Sequence, residues 1–226
     1  MCGRYALSQP PEILRQLFAA KGEVRDWRPR YNIAPQTPIV TVRAMPGGGR
    51  ELASLRWGLV PHWAANPSMG AKLSNARGET VAEKPAFRDA FQRRRCIVPA
   101  SAFYEWRRSA PDRQPFAIRV RDADCFGLAG IWSSWTGADG QALETVALLT
   151  TEPNVLMADI HDRMPVILDP ADYERWLTGT AAMAQALIRL FPATRMEAWP
   201  VSPAVGNVRN DAAMLLQPAP AQAALF

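Results

Sequence analysis

Cysteine and histidine are scarce in this sequence, and each scarcity closes off a class of function. Three cysteines, Cys2, Cys96 and Cys125, are an odd number without CxxC spacing, so neither a disulfide framework nor a thiolate zinc site is indicated. Two histidines, His62 and His161, leave little for transition-metal chemistry, and no metal and no cofactor is expected. No uninterrupted apolar run reaches about 18 residues, so no membrane span is expected. A secretory signal would need a basic start, an apolar stretch and a small-residue cleavage site, whereas Met1-Cys2-Gly3-Arg4-Tyr5 leads straight into polar sequence. A cytoplasmic chain is expected. Internal repeats and domain-length linkers are missing too, and 226 residues suffice for one sizeable core or at most two small ones. Disorder as the main state is excluded by 48% hydrophobic and 9% aromatic content.

What the sequence has in quantity is arginine. Twenty-three arginines against three lysines give a net charge of +5 and a pI near 9.5. Arginine binds phosphate bidentately and stacks on bases, so the skew fits a nucleic-acid partner. On composition alone, codon bias in an Ala- and Arg-rich genome is the better explanation.

The apolar pattern gives an α+β reading. Residues 8–22 read as a first helix, with Ser8 as its cap, Ile13, Leu14, Leu17 and Phe18 on one face, and Gly22 as its stop. Strands are predicted at 38–42 and 51–59 around the turn Pro46-Gly47-Gly48-Gly49, then at 95–98, 103–107, 115–120, 125–131, 144–150 and 196–201. Late helices start near Asp169-Pro170 and Thr180, with Gly179 between them. Strands succeed one another without regular crossover helices, which excludes a doubly wound sheet. The domain is expected to span 1–216, with a flexible Pro/Ala-rich tail at 217–226.

Several residues could carry chemistry. Removal of the initiator Met would leave Cys2 with an α-amine and a thiol on adjacent carbons, both partly nucleophilic at neutral pH. An aldehyde can form an imine with such an amine, and the thiol can close a five-membered thiazolidine. Alternatively, Cys2 is a small buried hydrophobe. His161 lies in Ile160-His161-Asp162-Arg163-Met164-Pro165, where Pro165 favours an extended Met164 and a loop that displays its side chains. Glu105 sits within Ala102-Phe103-Tyr104-Glu105-Trp106; burial would raise its pKa towards the range useful for proton transfer, while period-2 alternation would turn it to solvent. The segment 73–80 offers Asn75, Arg77 and Glu79, and the segment 57–63 places Trp63 beside a turn, as single-stranded nucleic acid requires of a stacking platform.

Seven ordered blocks resemble one family: MCGRY at 1–5, YNIAP at 31–35, WGLVPHW at 57–63, SNARGET at 74–80, RCIVPASAFYEW at 95–106, IHDRMPVIL at 160–168 and WPVSPAVGNVRND at 199–211. The family is the SOS-response-associated peptidase (SRAP) family, whose bacterial members shield abasic sites in single-stranded DNA by covalent attachment. The resemblance implies a single β-rich α+β domain with a barrel-like core and flanking helices. It implies Cys2 as nucleophile, Asn75 holding the amine or opened sugar, Glu105 as general acid/base and His161 assisting ring closure and release. Arg4, Arg77 and Arg163 would bind phosphates, Pro35 and Trp63 would contact bases, and Thr150 would line the groove. The implied partner is single-stranded DNA containing abasic sites, met by a monomer that joins the nucleoid when bound. Two competing readings remain: a cysteine peptidase limited to processing Met1, and a noncatalytic single-strand-binding module. The ending Gln222-x-x-Leu225-Phe226 resembles the peptide by which bacterial replication proteins bind the sliding clamp, with the Pro/Ala stretch as spacer.

Overall fold

The computed structural model describes residues 2–107, 113–138 and 140–219, so Met1 and the tail residues Gln222, Leu225 and Phe226 lie outside the described residues. The first half contains β1 (Tyr5–Leu7), α1 (Pro11–Phe18), β2 (Ala20–Lys21), β3 (Arg30–Ile33), β4 (Pro38–Ala44), β5 (Arg50–Trp57), β6 (Asn75–Arg77), α2 (Arg88–Arg93), β7 (Arg95–Ala100) and β8 (Ala102–Trp106). The second contains β9 (Pro115–Val120), β10 (Phe126–Thr136), β11 (Ala142–Thr151), α3 (Val155–Ala158), β12 (Met164–Pro165), β13 (Ile167–Leu168), α4 (Tyr173–Thr178), α5 (Ala181–Gln185) and β14 (Met196–Pro200).

Five of these strands close on themselves. Antiparallel ladders join β4 to β5, β4 to β7, β7 to β10 and β10 to β11, and β11 returns to β5 in parallel through Thr145–Arg56 and Val146–Trp57. The expected barrel-like core is therefore a closed five-stranded barrel in an α+β domain. Its sequence cause is plain in β4, whose Ile39, Val40, Thr41 and Val42 are all buried, and in the long apolar runs of β10 and β11. A second sheet, in the order β14-β9-β8-β1-β3, lies beside it and carries the beginning of the chain. Tyr5 pairs with Phe103 on one side and Ile33 on the other.

The late helices agree closely with the sequence reading: a 3-10 turn at Pro170–Asp172 leads into α4, and Thr180 caps α5 by accepting from the Met183 amide. The first helix departs from it. Only Leu14 and Phe18 are buried, whereas Ile13 is 37% and Leu17 48% exposed. Ser8 does not cap α1; it bonds Ser101 through both its amide and hydroxyl. Ala19, in the left-handed conformation at φ 48°, ends the helix three residues before Gly22. At the other end, Pro218 bridges Val201 and the Ala219 amide donates to Pro200, so backbone pairing continues through Ala219.

One glycine positions the site. Gly58 comes directly after β5 at φ +132°, where a Cβ would come within 2.6 Å of the Gly70 carbonyl oxygen. The close approach folds the 3-10 turn Pro67–Lys72 back under the barrel strand. Leu59 then donates to Leu73, and the Trp57 indole donates to the Ser74 carbonyl at 2.8 Å. Asn75 is thereby delivered to the barrel edge, where β6 runs parallel to β11.

Candidate active site

Four segments far apart in sequence meet at the start of the chain. Cys2 precedes β1, and Arg4 lies against β8 because its carbonyl accepts from the Tyr104 amide. The Cys2 side chain is fully buried. Asn75, at the first position of β6, donates from Nδ2 to the Cys2 carbonyl at 2.9 Å. Its Oδ1 is buried without a hydrogen-bond partner among the described residues, an acceptor open to an amine or hydroxyl. Glu105 is buried within β8 at 2% exposure, which decides against the solvent-facing alternative. Its carboxylate lies 3.8 Å from His161 Nε2.

His161 is held from both sides along the chain. Asn154 caps α3 by accepting from the Met157 amide, and the His161 amide then donates to the Met157 carbonyl. On the C-terminal side the Arg163 amide donates to His161 Nδ1 at 3.0 Å. The expectation that this loop displays its side chains is corrected: His161 is 6% exposed and faces inward, because this short-range bonding turns the loop over the end of β8.

Electrostatics bear on the order of events. Burial, and secondarily the Glu105 carboxylate, push the Cys2 thiol well above its ordinary range. At neutral pH it is a thiol, not a thiolate. Among the described residues no group of three or more His, Cys, Asp or Glu side chains is placed to hold a metal ion. No helix of the described residues is long and apolar enough to cross a membrane.

The residues expected to bind DNA divide in two. Arg77 is exposed, and no hydrogen bond or ion pair among the described residues engages its guanidinium. Trp63 is 52% exposed and Pro35 is partly exposed. The other three are built into the protein. Arg4 donates to Asn32 Oδ1 and to the Val205 and Gly206 carbonyls. Arg163 spans both oxygens of Glu79 at 2.7 and 2.9 Å and also reaches the Thr150 carbonyl and hydroxyl. Thr150 is completely buried, so it cannot line a groove; it anchors Arg163.

A model of the family described as SOS response associated peptidase (SRAP) matches residues 1–208. The chain belongs to the SRAP family. It is 39% identical to the abasic site processing protein YoqW of Bacillus subtilis across 96% of this chain and 99% of that one. Its identity to the abasic site processing protein YedK of Escherichia coli is 34%, over 96% of this chain and all of that one. With the mouse abasic site processing protein HMCES it shares 30% identity over 97% of its own length and 76% of the relative's. An X-ray structure of a protein from Bacteroides thetaiotaomicron superposes with a TM-score of 0.88 at 25% identity, covering 96% of this chain and all of that one.

The SRAP blocks that lack reactive groups find their explanation in a single hub. Asn32 donates from Nδ2 to the Val205, Asn207 and Asn210 carbonyls, and Asp211 accepts from the Tyr31 and Asn32 amides. The YNIAP and VGNVRND blocks thus hold one another, and Arg4 joins them to the N-terminal strand. Sequence reasoning gave these residues no part. Asn154 was missed as well, although an Asn before an apolar run is a cap signal.

Proposed function

We propose that this chain processes abasic sites in single-stranded DNA by forming a thiazolidine crosslink through Cys2. The observation that carries the proposal is the meeting of Cys2, Asn75, Glu105 and His161 at one buried point. With Met1 removed, the α-amine of Cys2 attacks the open-chain aldehyde of the abasic sugar, and loss of water leaves an imine. The thiol sulfur adds to the imine carbon, and its proton passes to nitrogen by way of Glu105 or His161. The ring consumes the imine before β-elimination can cut the strand. A protonated thiol suits this order, since the amine acts first and the sulfur last.

The peptidase reading fits less well. It requires a thiolate beside a basic histidine, whereas burial, and after it the Glu105 carboxylate, disfavours a thiolate at Cys2. Processing of Met1 remains compatible with the site. A noncatalytic single-strand binder would have no use for a buried Glu–His pair beside Cys2.

Intact mass of the purified protein, alone and after incubation with an abasic oligonucleotide, tests the proposal. Loss of Met1 and a mass gain equal to the oligonucleotide minus one water are expected. An unmodified protein mass after prolonged incubation overturns it.

A further inference from the structure

We propose that Trp135 is a positioning residue for DNA binding: together with Thr145 it fixes the turn that carries Trp63, so that the Trp63 ring meets the strand as a preset surface. The inference rests on the abasic-site reading above, in which Trp63 stacks on a base, and it gives a task to two residues that neither react nor touch the DNA. The turn runs from Val60 to Ala64. Val60, Pro61 and Ala64 are buried, whereas His62 and Trp63 at its tip are exposed, Trp63 by 52%. An indole so exposed draws little restraint from packing, and its direction depends on the backbone beneath it.

Side chains of the barrel fasten that backbone at both ends. At its start the Val60 amide donates to the Thr145 hydroxyl at 2.8 Å, and the hydroxyl donates in turn to the Ser133 carbonyl at 3.3 Å. At its end the Trp135 indole donates to the Ala64 carbonyl at 2.6 Å. Between the two, the Ala64 amide closes on the Pro61 carbonyl at 2.9 Å, and the proline ring holds its own φ. Thr145 of β11 lies opposite Ser133 of β10, two residues before Trp135, so both fasteners issue from one paired ladder. His62 adds little: its Nδ1 stands 3.9 Å from the Asp89 carboxylate, and both side chains are solvated.

A ring fixed before DNA arrives loses little freedom when a base stacks on it, whereas a loose turn must be ordered at the expense of affinity. The indole N–H is a donor only, so phenylalanine at 135 would fill the space without holding the Ala64 carbonyl. Thr145 is completely buried, and valine there would leave the Val60 amide without its acceptor. The fastening acts on affinity and leaves Cys2, Asn75, Glu105 and His161 alone, since these stand on other elements.

The test measures affinity for a single-stranded oligonucleotide bearing a tetrahydrofuran analogue, and single-turnover crosslinking to the abasic oligonucleotide, in wild type, Trp135→Phe, Trp63→Ala and the double variant. Trp135→Phe should weaken binding by roughly 2- to 10-fold, the usual net worth of one hydrogen bond, while the crosslinking rate at saturating DNA matches wild type. The double variant should bind as Trp63→Ala does. Thr145→Val should weaken binding in the same way, and Thr145→Ser, which retains the hydroxyl, should restore it; this pair carries the test where Trp135→Phe fails to fold. Wild-type affinity in Trp135→Phe, with Trp63→Ala weakened, overturns the inference. So does an equal loss from Trp135→Phe in the Trp63→Ala background, which makes Trp135 a DNA contact in its own right. If Trp63→Ala binds as tightly as wild type, the stacking role of Trp63 falls and the inference with it. If wild type binds the analogue yet forms no adduct, the crosslinking reading falls, while the four affinities still decide whether Trp135 positions Trp63.

Discussion

At the scale of the residue, a thiol kept protonated by burial cannot lead the attack, so the two nucleophiles of Cys2 should separate by mutation. Cys2→Ser and Cys2→Ala keep the amine and should give an imine that borohydride traps but heat or hydroxylamine destroys. A heat-stable adduct from Cys2→Ser at wild-type yield would exclude the thiazolidine. Glu105→Gln and His161→Gln should each slow crosslinking by roughly 10²–10⁴-fold, the usual worth of one general acid or base. Binding of a tetrahydrofuran oligonucleotide should stay the same; loss of that binding at a normal single-turnover rate would make both residues ligand contacts. The four residues proposed to react stand out in the sequence because each breaks a local pattern, a carboxylate inside an aromatic strand, a histidine and arginine before a proline, an amide opening a polar segment, a cysteine at position 2, while the roles proposed for them come from the family resemblance. Their supports were not legible. Glu79, Asn32 and Asp211 look like ordinary polar loop residues, and only the fold reveals that their partners lie 84, 173 and 180 positions away.

At the scale of the element, period-2 alternation and apolar runs located the barrel strands to within a few residues, because each carries enough buried side chains to show the pattern. Strands β1, β2, β6, β12 and β13 have two or three residues each and no period to read. The first helix misled for a related reason: its apolar face is wider than the surface it covers. Arg95 is an element-scale counterpart of the Arg163 side chain, which is bonded to Glu79 and Thr150. It is 5% exposed and donates to the Phe91 and Gln92 carbonyls at the end of α2 and to the Trp176 and Gly179 carbonyls at the end of α4. A buried guanidinium thus caps two helices with no ion pair to a carboxylate among the described residues, in favourable alignment with both helix dipoles. Arg95→Met should fill the space yet orphan these carbonyls, lowering stability in urea by about 2–3 kcal/mol. A loss smaller than that of an ordinary surface substitution would mean that water or backbone shift replaces the cap.

At the scale of the whole molecule, two titrations distinguish what holds the fold from what holds DNA. Burial raises the Cys2 and Cys96 thiols above their ordinary value near 9 in the folded chain. Their contribution is therefore fully present below pH 9 and is lost as pH rises above it, at up to about 1.4 kcal/mol per pH unit for each thiol. Urea midpoints should hold steady in the neutral range and fall above pH 9; a flat profile to pH 10.5 would contradict the burial of these thiols. Salt reads the other surface. From sequence, Arg4, Arg77 and Arg163 would supply three phosphate contacts and a log–log salt slope of roughly −2, at about −0.7 per contact on a single strand. The fold leaves only Arg77 of the three unengaged, because Arg4 secures the 203–206 turn and Arg163 secures the His161 loop. Net positive charge alone could not make that distinction, since an arginine tied to carbonyls counts in the total just as an extended one does. Binding of a tetrahydrofuran oligonucleotide, measured from low to moderate salt, should therefore lose about 0.7 of slope in Arg77→Ala. In Arg163→Ala the slope should match wild type as long as the guanidinium stays on Glu79 when DNA binds. Trp63→Ala should weaken binding by about 1–3 kcal/mol at every salt concentration without changing the slope, because stacking on a base releases no counterion. If Arg163→Ala reduces the slope as much as Arg77→Ala does, the guanidinium leaves Glu79 when DNA arrives and supplies a second phosphate contact.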